Sequence, residues 1–374
     1  MINARDFYEE LNNNGVSNFA GVPDSLLKSF CAYVSDTVSG TKHTVTANEG
    51  SAIALATGQY LSSKKPSLVY MQNSGFGNAL NPLLSLADPD VFSIPMILLM
   101  GWRGEPGSPD EPQHMTQGRI MEPLLNACGT PYFILDSNEG NLKKLVAQAC
   151  QTAMEQLRPV GILVRKGTFS NYEPKDNRHH FSLISRELAI SEIVSHLGSN
   201  SIFVSTTGYA SRELFEIREK FNQQHSRDFL TVGSMGHASM IATGIAQNSS
   251  KQVVCLDGDG AALMHLGNMA GVAQSGAENL LHILLNNSAH DSVGGQPTCG
   301  INVDFKALAE SNGYQTAKSC CTLPEIPKHL NEIIDVKGPH FIEVKVRRGC
   351  RSDLGRPHTK PCDNKVALMS ALGA

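Results

Sequence analysis

The residues best equipped for chemistry are Asp257-Gly258-Asp259-Gly260 and the pair Asn286-Asn287. The first segment closes an apolar run, 253–256, and leads into a helical pattern; the second closes the next apolar run, 280–285. If both runs are parallel strands, their carboxyl ends lie at the sheet edge where open α/β sheets bind ligands. An Asp and an Asn on such ends offer hard oxygen ligands suited to octahedral Mg²⁺. The glycines admit close backbone approach, and a helix N-terminus behind them favours phosphate oxygens. The predicted occupant is a diphosphate bridged to the protein by Mg²⁺.

Positioning these groups requires parallel sheets, and the chain reads as two of them. Short β-branched or apolar runs alternate with segments of helical period. In the first half, strands are expected at 16–21, 43–47, 67–72, 95–101, 132–135 and 160–165. Helices are expected at 24–35, 50–61, 78–86, 117–127 and 138–157. The polar stretch 170–185, with Pro174 and His179-His180, breaks the pattern and reads as a solvated linker. Strands resume at 202–206, 229–232, 252–256, 280–285, 314–316 and 340–346.

Three landmarks recur in order at a nearly constant offset. Gly21 pairs with Gly208, Ala56-Thr57-Gly58 with Ala242-Thr243-Gly244, and 75–80 with 258–263. The expected fold class is therefore α/β: two related parallel-sheet domains, 1–169 and 186–374, joined by the linker 170–185. Under this pairing Glu49 faces Met235 and Phe76 faces Asp259. Each copy carries an acid where the other is apolar, which suggests a ligand held between complementary halves.

Composition narrows the function. The 374 residues carry 31 Lys+Arg against 35 Asp+Glu, a net charge of −4, so no basic excess invites nucleic acid or an anionic membrane. Residues 1–20 lack the apolar core of a signal peptide, and the run 94–100 is too short to span a bilayer. Nine scattered cysteines without a C-x-x-C pair read as reduced cytoplasmic thiols, not as disulfides or a zinc site. The adjacent Cys320-Cys321 reads as two buried small hydrophobes. Neither Gly75-x-Gly77 nor Gly258-x-Gly260 has the third glycine of a dinucleotide-binding turn. A cytoplasmic α/β enzyme is expected.

Gly258-Asp259-Gly260 followed by Asn286-Asn287 resembles the motif of thiamine diphosphate-dependent enzymes. The resemblance implies a pyrimidine-binding domain followed by a diphosphate-binding domain, with thiamine diphosphate and Mg²⁺ as cofactors. It implies Asp259, Asn287 and the carbonyl of Ala289 as metal ligands, with Asn286 a lesser candidate. Thr207, Gly208, Gly258, Gly260 and Ala261 would surround the diphosphate, and Met235 would sit under the bent cofactor. Glu49 would hydrogen-bond pyrimidine N1′, favouring the tautomer that takes the reactive proton of the thiazolium ring.

The segments 21–28, 72–78, 103–107, 110–114, 290–296 and 351–357 are similar to the short decarboxylases of this family, which lack a middle domain. Those act on 2-oxo acids bearing a phosphonate or sulfonate. That similarity implies Arg103, His114 and Gln296 around the substrate. His114 and His290 would join Glu49 in catalysis, and Asp24 or Ser25 would transfer protons. It further implies a homo-oligomer, at least a dimer, with Glu49 and Asp259 supplied by different subunits. The Gly/Pro-rich stretch 101–114 is expected to be an unstructured lid. The basic stretch 345–360 reads as solvated surface, or more sharply as a phosphonate-recognising segment.

Overall fold

The computed structural model describes residues 1–38, 40–175 and 184–373. The chain divides into two compact units, Met1–Asn177 and Arg178–Ala374.

In the first unit six parallel strands, β1 (Phe19–Gly21), β2 (His43–Val45), β3 (Ser67–Gln72), β4 (Met96–Gly101), β5 (Tyr132–Leu135) and β6 (Pro159–Val164), form one sheet in the order β2-β1-β3-β4-β6-β5. Strand side chains alternate between faces, so apolar runs buried on both sides need helices on both. Along β3, Leu68 and Tyr70 enter one core with Phe7, Phe19 and Phe30, while Val69 and Met71 enter another with Ile53 and Phe76.

The second unit repeats the plan with β7 (Ile202–Ser205), β8 (Asp228–Leu230), β9 (Val253–Gly258), β10 (Leu280–Asn286), β11 (Thr316–Cys320) and β12 (His340–Lys345), ordered β11-β12-β10-β9-β7-β8. Counted from its own first strand, each sheet runs 2-1-3-4-6-5. The helix after the third strand opens at Phe76 in one unit and at Asp259 in the other. These are the two positions that the pairing of landmarks sets opposite each other.

Several boundaries differ from the sequence expectation, each for a local reason. The expected helix 24–35 begins only at Lys28, because Asp24 Oδ2 accepts from the Leu26 N–H (2.8 Å) and holds a turn there. The expected helix 117–127 begins earlier, at Pro112, since a proline is well suited to the first turn. The expected lid therefore stops at Glu111, and His114 is helical. The strand expected at 314–316 is Thr316–Cys320 instead, an edge strand whose polar Lys318 and Ser319 hide its pattern. Cys320 is buried as expected, whereas Cys321 is exposed.

Of the expected linker 170–185, residues 176–183, including His179-His180, lie outside the described residues. Its first part packs on the first unit, where Ser170 N donates to Ile2 O (2.9 Å) and Lys175 N to Asp36 Oδ2 (2.8 Å).

Candidate active site

In the second unit the parallel register sets the ends of β9 and β10 side by side, with Leu285 opposite Gly258. Asp259 and Asn286-Asn287 are the residues that follow, so neighbouring strand ends deliver them together. Asp259 starts the helix Asp259–Met264 and is buried. Its carboxylate accepts from the Thr298 hydroxyl and from the backbone N–H of Asn287. Burial is the largest influence on this carboxyl and pushes it up to about 6, against those two hydrogen bonds.

The Asn pair divides its work. Asn286 is locked into the fold, donating to Glu343 Oε1 (2.8 Å) and accepting from the Ser288 N–H (3.0 Å). Asn287 donates its amide to Asp291 Oδ2 (2.6 Å), which turns its carbonyl oxygen toward the Ala289 N–H (3.0 Å). Ala289 sits in a hairpin, bridged to Pro297.

The same strand ends gather other expected residues. A side chain built on Gly260 would stand 3.0 Å from His290 Cε1, and one on Gly208 would stand 3.3 Å from Ser292 Oγ. The Thr207-Gly208 turn and the His290 hairpin thus flank the Asp259 turn. Met235 lies in a turn whose next residue, Gly236, faces the Ala261 carbonyl and accepts from Asn268 Nδ2 (2.9 Å). His290 is held neutral, its imidazole lowered to about 4 by burial. Gln296 is buried with neither carboxamide atom hydrogen-bonded. Such a group costs about 1–3 kcal/mol unless a ligand or water completes it.

In the first unit a second polar cluster stands on the ends of β1, β3 and β4. Asp24 is buried, with Oδ1 accepting from Gln72 Nε2 (2.7 Å). Burial raises its carboxyl despite that hydrogen bond. Arg103 forks onto Asp110 through Nε (2.8 Å) and Nη2 (2.5 Å), and its Nη1 donates to Ser25 Oγ (2.9 Å). Asn73 exchanges two hydrogen bonds with the Arg103 backbone (2.9 and 3.1 Å). The stretch 102–111 is therefore tied down from within. His114 stands in the first turn of the helix Pro112–Ala127, its N–H on Glu111 O (2.9 Å) and its carbonyl against Gly104.

Glu49 opens the helix Glu49–Ser63 behind its cap Asn48, and only 5% of it is exposed. Asn78 Nδ2 donates to its Oε2 (2.8 Å), while Oε1 faces Gly75, where any side chain would collide with it. Burial raises the Glu49 carboxyl, so it is poised to keep a proton.

Sequence reasoning missed Thr298, Asp291, Gln72, Asn78 and Asp110. All but Thr298 fall inside segments that carry the resemblance, which was the available signal. Thr298 and Asp291 come from the loop after β10, whose path no local pattern gives. Within the basic stretch, Arg348 donates to the carbonyls of Asn287 (3.4 Å) and Ser288 (3.0 Å), so that part is structural and not simply solvated.

Comparison with known proteins places both units in one family. Residues 2–123 match the family described as "Thiamine pyrophosphate enzyme, N-terminal TPP binding domain", and residues 206–344 match its C-terminal TPP binding domain. The chain is 35% identical to a phosphonopyruvate decarboxylase of Streptomyces hygroscopicus over 96% of this chain and 92% of that protein. It is 34% identical to the enzyme of the same name from Streptomyces viridochromogenes (97% and 93%). It is 29% identical to a sulfopyruvate decarboxylase of Methanosarcina acetivorans (91% and 90%). Among the described residues no helix is long and apolar enough to cross a membrane. With both cofactor-binding domains matched and no domain between them, the chain belongs to the thiamine diphosphate-dependent decarboxylases, a family of carboxy-lyases.

Proposed function

We propose that this protein converts 3-phosphonopyruvate into phosphonoacetaldehyde and CO₂, a step of phosphonate biosynthesis, using thiamine diphosphate and Mg²⁺. The observation that carries the substrate is the identity to two phosphonopyruvate decarboxylases across nearly the whole chain, above that to the sulfopyruvate enzyme. The reading takes 1–169 as the pyrimidine domain, 170–185 as linker and 186–374 as the diphosphate domain. It takes the active form to be a homo-oligomer in which Glu49 and Asp259 come from different subunits.

The residues present suit the cofactor. Asp259 is a buried carboxylate whose hydrogen-bond partners are a hydroxyl and an N–H, so a divalent ion would supply the missing positive charge. Asp259, Asn287 and the Ala289 carbonyl would hold Mg²⁺; Gly208, Gly258, Gly260 and Ala261 would line the diphosphate. Thiamine diphosphate, when bound, supplies a carbon nucleophile and an electron sink for the departing carboxylate.

The chain's own groups supply protons, orientation and dryness. Burial raises the Glu49 carboxyl, and with Oε2 accepting from Asn78 its Oε1 would be the atom that carries the proton. Both Asp24 oxygens accept from the chain, whereas the Ser25 hydroxyl accepts from Arg103 and keeps its own hydrogen to donate. Of the two, Ser25 is thus the better placed proton donor. Arg103 retains outer N–H groups on Nη1 and Nη2 for an anionic substrate, with its plane fixed by Asp110. His290 and Gln296 offer an uncharged acceptor and an amide. Purified protein with both cofactors, supplied with phosphonopyruvate or sulfopyruvate, tests the reading through CO₂ and aldehyde release. A higher kcat/KM for phosphonopyruvate is expected; preference for the sulfonate, or release from neither, refutes it.

A further inference from the structure

Behind the Asp257-Gly258-Asp259 turn lies a second cluster that the decarboxylation does not use. Cys255 and Asp257 on β9 and His282 on β10 project from one face of the sheet. His282 is the register partner of Cys255, and Asp257 lies two residues further along the same strand, on the same face. The three are 0%, 1% and 1% exposed. Their ligand atoms all lie within 4.8 Å of one another.

The His282 ring is aimed but not satisfied. Its Nδ1 meets the Tyr314 hydroxyl at 2.8 Å, which fixes the ring plane. Its Nε2 comes within 3.4 Å of Asp257 Oδ2, yet it makes no hydrogen bond. Nitrogen and oxygen ligands about 2.0–2.1 Å from a tetrahedral ion stand about 3.4 Å from each other. The observed spacing is therefore that of two ligands around a common ion.

We propose that Cys255, Asp257 and His282 bind one zinc-like divalent ion, separate from the magnesium of the cofactor. One thiolate, one carboxylate and one neutral imidazole leave a divalent ion with no net charge, the balance a sealed core tolerates. A sulfur–nitrogen–oxygen set selects a borderline-soft ion over Mg²⁺. Tyr314 acts behind the imidazole as outer-shell partners do. Because the ligands are sealed from solvent, the ion enters as the unit folds. Once in place it clamps β9 to β10 directly behind the turns bearing Asp259 and Asn287. Zinc motifs are recognised by close spacing along the chain, and this set is assembled across two strands, which is why no C-x-x-C announces it.

The test uses the full-length protein, purified without chelator and dialysed against Mg²⁺. Elemental analysis is expected to find about one zinc per folded chain. Refolding with Co²⁺ in its place is expected to give thiolate-to-cobalt absorption, absent from Cys255→Ala. Asp259→Ala, which touches the magnesium site only, is expected to retain the zinc and the cobalt band. Folded wild-type protein that is free of metal and takes up cobalt without that absorption overturns the proposal, leaving Asp257 and His282 as a metal-free buried contact. Loss of the zinc with Asp259→Ala overturns it equally, since the ion then belongs to the cofactor site. Should the cofactor reading fail instead, zinc content and the cobalt spectrum are unaffected.

Discussion

Replacing Gly75 with Ala tests whether the position of the Glu49 carboxyl matters as much as its presence. The Gly75 backbone, at φ −70° and ψ −13°, suits any L-residue, so the added methyl acts only through contact. That methyl would stand 2.7 Å from Glu49 Cδ and 2.8 Å from Cγ, where ordinary contact begins near 3.4 Å. With Oε1 nearer still, the carboxyl must retreat by about 1 Å, against a 2.8 Å hydrogen bond from Asn78 and a helix start that holds its backbone. A 1 Å misplacement of a reacting group costs up to about 10²-fold, so kcat should fall about 10- to 100-fold, or about 1.4–2.7 kcal/mol. Overpacking should also cost about 1–3 kcal/mol of stability. A double-mutant cycle with Glu49→Ala isolates the cause. With the Glu49 side chain gone, Gly75→Ala should cost no further activity and should turn neutral or stabilising by about 0.4–1 kcal/mol, because alanine restricts the unfolded chain. Turnover and urea unfolding of the four proteins provide both readouts. Equal losses in the two backgrounds would show that the methyl acts elsewhere, and the reasoning about Glu49 would fall.

Two further outcomes follow from contacts outside the expected set. Asp291→Ala removes the acceptor that orients the Asn287 amide (2.6 Å) and also accepts from the Gly349 N–H (2.8 Å). Mg²⁺ affinity should drop about 10- to 100-fold, as when outer-shell partners of ligands are lost, read as Mn²⁺ binding by electron spin resonance with thiamine diphosphate present; unaltered affinity would remove Asp291 from the site. His43, packed by burial and 2.9 Å from the Tyr70 hydroxyl, is lowered to about 4, below its unfolded value of 6.5. The unfolded chain binds the extra proton in that window, so the stability is complete above about pH 6.5 and is lost as pH falls toward about 4. Allowing for its partly solvated edge, the loss should be about 1–2 kcal/mol, seen as a shallower pH slope of unfolding in His43→Gln. An identical slope in the variant would assign the effect to other groups.

What the sequence makes legible follows from how each group is positioned. The pairing of Asp259 with Asn287 is readable because β9 and β10 are nearly continuous apolar runs, and parallel register leaves no freedom in where the two residues emerge. The duplicated topology is readable for the same reason: strand-to-helix turns recur wherever a repeated sheet must reverse, and Phe76 and Asp259 mark one such turn twice. The boundary of the helix after β1 is not, because the Asp24 carboxyl competes for the backbone at a turn whose local residues also suit a helix. Asp110 and Asp291 escape for a further reason. Each acts through irregular backbone: Asp110 folds back within its own loop to fix the plane of Arg103, and Asp291 turns back onto the amide of Asn287 while accepting from the distant Gly349. No helical or strand period fixes the path of such a loop, so a carboxylate's neighbours along the chain do not say which donor it will meet, and groups that orient others are harder to read than the groups they orient. The Cys255–Asp257–His282 cluster is the same case carried into the core. Its members look like ordinary strand residues one by one, and only the pairing of β9 with β10 brings a thiol, a carboxylate and an imidazole face to face.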